Sequence, residues 1–287
     1  MLRISSVSFP GLGIGEMDLD SVAFSFLGFE VAWYGLIICM GMIAAVAYLT
    51  FRSTRIGITL EDVLDGVLFV IPIGILGARL YYVIMSERGY SSFIDVIDIS
   101  KGGLAIYGGI IAGAITVFVF CKVKKIRFMA FADCVCPGLI LAQAIGRWGN
   151  FMNGEAFGAE TDIFCRMGLT NFLTAYDTVY VHPTFLYESL WNILGFILIN
   201  IFYRHKRYDG QIFLLVFGWY GFGRMFIEGL RQDSLYLGAF RVSQLLAGSI
   251  FVVCTALLIY FAFRKPYDNF FKYESKYTKK RTKKCRK

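Results

Sequence analysis

An all-α integral membrane protein with about seven transmembrane helices is the fold class that this 287-residue sequence predicts. Three observations lead there. The composition is 57% hydrophobic and only 17% charged, with a mean hydropathy of +0.59, which is too apolar for a water-soluble globular domain. Apolar runs of the length needed to cross a hydrocarbon layer, about 20 residues for about 30 Å, recur along the chain. Lysine and arginine collect in alternate connections between those runs, as they do when one side of a membrane is cytoplasmic.

Residues 1–30 contain Pro10, several glycines and the acids Glu16, Asp18, Asp20 and Glu30, so they read as an exterior arm and not as a cleavable signal peptide. Three runs free of charge follow as confident spans, at 31–51, 102–121 and 242–263. Four more carry charge near one end: 61–85 with Asp65 and Arg79, 128–151 with Asp133 and Arg147, 183–203 with Glu188, and 211–228 with Arg224. The longest connection, about 153–182, holds Glu155, Glu160, Asp162, Arg166 and Asp177, and a segment of that length is usually functional or mobile. Residues 264–287 form a basic tail, and the whole chain reads as a single membrane domain.

Orientation follows from the basic residues. One set of connections, with Arg52, Arg55, Lys122, Lys124, Lys125, Arg127, Arg204, Lys206, Arg207 and the tail, holds twenty; the other, with Arg3, Arg88, Lys101, Arg166, Arg231 and Arg241, holds six. The first set is expected to be cytoplasmic, with the N-terminus outside, the C-terminus inside and an odd number of crossings. The tail is then attracted to anionic inner-leaflet lipid and not to nucleic acid. Seven scattered cysteines and two histidines leave no plausible zinc site, and Cys134 and Cys136 lack a second ligand pair.

With this topology the polar residues of the spans fall at one depth, near the outer helix ends: Trp33 and Tyr34, Arg79 and Tyr82, Tyr107, Arg147 and Asn150, His182, Tyr187 and Glu188, and Arg224 and Glu228. A charge at mid-bilayer costs roughly 2.5–3.5 kcal/mol on insertion scales, so several at one level imply a shared polar chamber. Arg224 and Glu228 are four apart, and Arg147 and Asn150 three apart, so each pair shares a helical face. Simpler readings exist for each: Trp33 and Tyr34 as interfacial aromatics, Arg224 with Glu228 as a structural ion pair, Gly109 and Gly113 as a helix-packing surface, and His182 before Pro183 as a helix start. A cationic chamber at a lipid-facing level points to an anionic headgroup. It also suits a transporter or flippase that binds such headgroups without chemistry, but no paired broken helices mark the two halves. A magnesium-dependent phosphatidyltransferase would want an aspartate cluster, and none is evident.

The chain resembles the bacterial prolipoprotein diacylglyceryl transferases. The resemblance rests on the order and spacing of Val31 to Gly35, Gly77 to Tyr81, Gly102 to Gly109, the run Gly146 to Gly158, His182 to Glu188, and Tyr220 to Glu228 followed by Arg231. These cover about residues 30–235, and their joint occurrence is highly specific. The resemblance implies a cytoplasmic-membrane enzyme without metal or organic cofactor. Such an enzyme moves the diacylglyceryl group of phosphatidylglycerol to the lipobox cysteine of a prolipoprotein signal peptide and releases glycerol phosphate.

Displacement by sulfur at a saturated carbon needs a fixed cation for the departing phosphate and a proton acceptor for the thiol, whose reference pKa is near 8.5. The resemblance implies Arg147 as the principal phosphate ligand, and Asn150 is expected to orient the headgroup or the helix end. Arg224 is the second phosphate candidate, its fork fixed by Glu228, and Tyr34 and Asn153 join the phosphatidylglycerol-binding set. Many family members carry His where this chain has Tyr107, so that tyrosine is expected to donate a hydrogen bond to phosphate or glyceryl oxygen. His182, Glu155 and the substrate phosphate are the candidate proton acceptors.

Overall fold

The computed structural model describes residues 4–86, 92–98, 102–231, 236–237 and 240–264. Arg3, Arg88, Lys101 and the tail beyond Arg264, which carried part of the orientation argument, lie outside these residues. Among the described residues seven helices reach 18 residues or more: α1 (Trp33–Ser53), α2 (Leu60–Met85), α4 (Ile106–Val123), α5 (Phe128–Met152), α6 (Thr184–Phe202), α7 (Gln211–Glu228) and α8 (Val242–Arg264), with the short α3 (Phe93–Ile97) after α2. Each coincides within a few residues with a span read from hydropathy. Six are long and apolar enough to cross a membrane; α7, which carries Gln211, Arg224 and Glu228, is not among them.

The chain is mainly helical, as expected, and among the described residues eight short strands are added outside the spans: β1 (Ile4–Phe9), β2 (Ile14–Asp20), β3 (Val22–Phe26), β4 (Phe29–Ala32), β5 (Met167–Thr170), β6 (Val179–Val181), β7 (Tyr236–Leu237) and β8 (Phe240–Arg241). The N-terminal arm and the long connection build one antiparallel sheet in the order β2-β1-β5-β6, with Val7 opposite Leu169 and Gly168 opposite Tyr180. Val7 and Phe9 alternate inward as a strand with one buried face requires, and they pack with Leu169, Val181 and Phe185 of α6. Phe151 near the end of α5 stacks on Phe9 of the sheet and packs tilted against Phe185, ring centroids 4.7 Å apart, which fastens the sheet to both helices. Buried Asn171 completes the joint: its side chain accepts from the backbone N–H of Leu173 and Thr174 and donates to the Gly154 carbonyl at 2.8 Å.

The described residues divide into two compact units, the first containing residues 4–48 and those from 135 onward, the second those from 49 to 134. Within the second, α2 and α4 meet through small residues: a Cβ on Gly77 would lie 2.2 Å from that of Ala112, and one on Gly108 would lie 2.3 Å from the Gly77 carbonyl oxygen. The close-packing surface expected at Gly109 and Gly113 therefore has its tightest points one residue earlier, at Gly108 and Ala112. Without a hydrophobic drive between helices in lipid, such backbone contact is what holds them. Asp62 caps α2 in a capping box with Thr59, and Lys124 at the end of α4 pairs with Asp62 at 3.3 Å and Asp65 at 2.6 Å. These carboxylates hold the Lys124 ammonium above its usual range, the Asp65 hydrogen bond contributing most.

Candidate functional site

The segment after α5 is the scaffold of the site. The Gly158 N–H donates to the His182 carbonyl at 2.9 Å, the His182 N–H returns to Ala159 at 3.0 Å, and the Ala159 N–H donates to Leu230 at 2.7 Å. Gly158 also bridges Arg231. One short stretch of backbone thus ties the exit of α5 to the entry of α6 and the exit of α7. Helices of alternating direction then present Arg147, Glu188 and Arg224 at one level.

The side chains meet there in a chain of ion pairs. Arg147 places Nη2 2.7 Å from Glu188 Oε2, and Arg224 donates Nη1 to Glu188 Oε1 and holds Nη2 2.5 Å from Glu228 Oε2. Arg231 adds a third guanidinium, 3.9 Å from Glu188 and 4.0 Å from Glu228, and Arg241 donates to the Glu228 carbonyl. The carboxylates lie deep, with side chains 4% and 3% exposed, whereas that of Arg147 is 22% exposed. Three guanidiniums around two carboxylates leave an excess positive charge, and the anions sit behind the cations. Removing such groups from water costs several kcal/mol per ion unless they are paired, so Glu188 and Glu228 fix the two forks, and Arg147 keeps the most exposed side chain of these five.

A polar fringe continues from Arg147. Its Nη1 donates to Asn150 Oδ1 at 3.4 Å, and Asn150 and Asn153 both donate their amide nitrogens to Glu155 Oε1, at 3.1 and 3.2 Å. Asn153 Oδ1 is buried with no hydrogen-bond partner among the described residues. Tyr34, second residue of α1, packs its ring on Gly149, where a Cβ would stand 2.9 Å from the ring, so α1 and α5 approach closely beside Arg147 and Asn150. His182 Nδ1 is 3.3 Å from the Tyr187 hydroxyl, which lies 3.5 Å from Cys165 Sγ. Burial holds the His182 imidazole below its ordinary value, so the ring is neutral near pH 7.

Arg147, Asn150, Asn153, Glu155, Arg224 and Glu228 are therefore linked through Glu188, with Tyr34 and His182 in the same unit. Tyr107 belongs to the other unit, half-exposed as the second residue of α4. Arg79, read from sequence as part of the polar chamber, spends its guanidinium on backbone: it donates to the carbonyls of Asp95, Val96, Gly102 and Gly103 at 2.8–3.1 Å and so shapes the loop leading to Tyr107. Sequence reasoning placed Glu188 at the common depth without showing that it serves two arginines, and it left Arg231 and Arg241 out of the site. The spacing of Arg231, three residues past Glu228, was the available signal. Beside the cluster a cavity of about 520 Å³ opens among α1, α5 and α6, lined by Trp33, Ile37, Met40, Ile145, Trp148 and Ile193 and by neither Arg147 nor Arg224.

Residues 21–260 match the family described as prolipoprotein diacylglyceryl transferase. The chain belongs to that family. A protein of Listeria welshimeri named phosphatidylglycerol–prolipoprotein diacylglyceryl transferase is 46% identical over 87% of this chain and 92% of its own length. Similarly named proteins of Clostridium perfringens (43% identical; 84% of this chain, 95% of the relative) and Clostridioides difficile (42%; 80% and 90%) match as well. As a member of the prolipoprotein diacylglyceryl transferase family the chain is a membrane transferase of lipoprotein biosynthesis.

Proposed function

We propose that the chain transfers the sn-1,2-diacylglyceryl group of phosphatidylglycerol to the lipobox cysteine of prolipoprotein signal peptides. The observation that carries this reading is the joining of Arg147 and Arg224, from different helices, on one buried carboxylate with positive charge to spare. The thiolate attacks the glyceryl C3, the S–C bond forms as the C–O bond to phosphorus breaks, and glycerol phosphate departs with the bond's electron pair. Arg147 holds the phosphodiester, and Arg224, its fork set by Glu228, balances the charge growing on the leaving oxygen; donors already oriented in a low-dielectric site need no reorganisation at that moment.

Asn150 orients Arg147, and the buried Oδ1 of Asn153 is a ready acceptor for a headgroup hydroxyl. Tyr34 closes the headgroup site from α1. His182 takes the thiol proton: its ring is neutral and positioned by Tyr187, whereas Glu155 Oε1 is already taken up by the amide donors of Asn150 and Asn153. Tyr107 donates a hydrogen bond to the phosphate or a glyceryl oxygen. The chain works as one membrane domain with seven crossings, α7 included because its charges are paired, with the N-terminus and the sheet outside the bacterial cytoplasmic membrane and the C-terminus inside. No nucleic acid takes part.

The test is incubation of purified protein with phosphatidylglycerol and a lipobox peptide. A thioether-linked diacylglyceryl peptide together with released glycerol phosphate supports the reading. Lipid movement across vesicles without that product refutes it.

A further inference from the structure

The β3–β4 hairpin is an amphipathic element whose large apolar side chains are left exposed by the described residues. Its register sets Phe24 opposite Val31 and Phe26 opposite Phe29, which places these four side chains on one face, while Ser25 and Glu30 are opposite each other on the other. The large side chains of the first face are exposed, from 52% at Phe24 to 82% at Leu27 at the tip. A second observation concerns the turn. Leu27 and Gly28 adopt φ of 49° and 83°, a left-handed pair that favours Asn, Asp or Gly. A bulky apolar residue at the first position carries backbone strain and gains no packing from the fold.

The hairpin has no linker to the membrane span. β4 runs straight into α1, and the Trp33 N–H donates to the Ser21 carbonyl at 2.9 Å, fixing the hairpin's base at the first residue of that helix. With a rise of about 3.3 Å per residue, the tip lies within about 20 Å of this anchor. Trp33 and Tyr34 mark the level at which aromatic side chains meet headgroups.

We propose that the β3–β4 hairpin lies in the membrane interface, with Phe24, Phe26, Leu27 and Phe29 among the acyl chains of the leaflet that α1 enters and Ser25 and Glu30 toward water. The occupant of the apolar face is lipid, because β4 runs without a break into a helix long and apolar enough to cross a membrane and the face stays within reach of its end. The hairpin then sets the depth of the α1 end that carries Tyr34. This inference is independent of the reaction assigned above.

The experiment uses the full chain in bilayers of phosphatidylglycerol and phosphatidylethanolamine, with Cys39, Cys165 and Cys285 replaced by Ser and a single fluorescent label at Leu27→Cys or at Ser25→Cys. Both positions are exposed, so neither substitution removes packing. The label at 27 is expected to be quenched several-fold more by lipids with a nitroxide on the acyl chain than by aqueous iodide, and the label at 25 to show the reverse. Iodide quenching at 27 equal to that of the free dye overturns the proposal, as does equal lipid quenching at both positions. Protection of position 27 from both quenchers, with a disulfide forming there between two chains of the unlabelled Leu27→Cys variant, assigns the face to a second copy and also overturns it.

Discussion

Replacing Glu188 by Gln removes the charge on which the cluster turns while keeping the side chain's shape. In the wild-type chain both carboxylate oxygens are used, one by Arg147 and one by Arg224, and the side chain is 4% exposed. Charge-assisted bonds of this kind contribute about 1.5–3 kcal/mol each, against about 1 kcal/mol for the neutral bonds an amide can re-form. Breaking a buried pair outright costs about 3–5 kcal/mol. The expected loss of folding stability for Glu188→Gln is therefore about 2–4 kcal/mol, short of the full penalty because Glu228 still pairs with Arg224. The cationic excess rises by one, so phosphatidylglycerol should stabilise the variant more than it stabilises the wild type. The guanidiniums lose their common anchor, and misplacement by about 1 Å costs about 10²-fold in rate. Transfer to a lipobox peptide in nanodiscs should show kcat lowered by about that factor with KM for phosphatidylglycerol unchanged or lowered. Wild-type stability together with wild-type kcat would refute the view that Glu188 holds both arginines.

Three further outcomes are expected. His182 is half-buried with its pKa below the ordinary imidazole value, so the unfolded chain binds the proton more tightly; stability should be full above the ordinary value, about 6.5, and fall as pH drops below it, and His182→Gln should abolish that loss together with the acidic limb of kcat/KM. In Gly195→Ala the new Cβ would stand 2.2 Å from Trp219 Nε1, inside the stacked Trp191–Trp219 pair that joins α6 to α7, so thermal unfolding should show a loss of about 1–3 kcal/mol. Tyr107→Phe should lower kcat by less than about tenfold, the worth of one hydrogen bond, with the pH profile unchanged; a shifted basic limb would contradict the donor role.

Helix positions were legible because charge and hydropathy change together at span ends: α7 begins and ends at Gln211 and Glu228, as the reading of that run has it. The sheet was not. β5 and β6 have four and three residues, too short to show an alternation, and β1 finds β5 about 160 residues away, a pairing without local signature. At the site, spacing along one helix revealed Arg224 with Glu228 and Arg147 with Asn150, because neighbours at three and four share a face. Glu188 as a common partner needs three helices in register, and that register is set by backbone bonds from Gly158 and Ala159. Arg79 shows the converse: depth alone placed it with the other charges, but nearby carbonyls take its guanidinium.

The most direct test of the anion-binding role of the cluster is transfer by Arg147→Ala in phosphatidylglycerol bilayers, with membrane insertion and folding checked in parallel. Arg224 still neutralises Glu188 in this variant, so the chain should insert and fold. Phosphatidylglycerol binding should be lost and transfer reduced by about 10³-fold or more. A properly inserted Arg147→Ala chain that binds phosphatidylglycerol and forms the thioether at the wild-type rate would contradict the account.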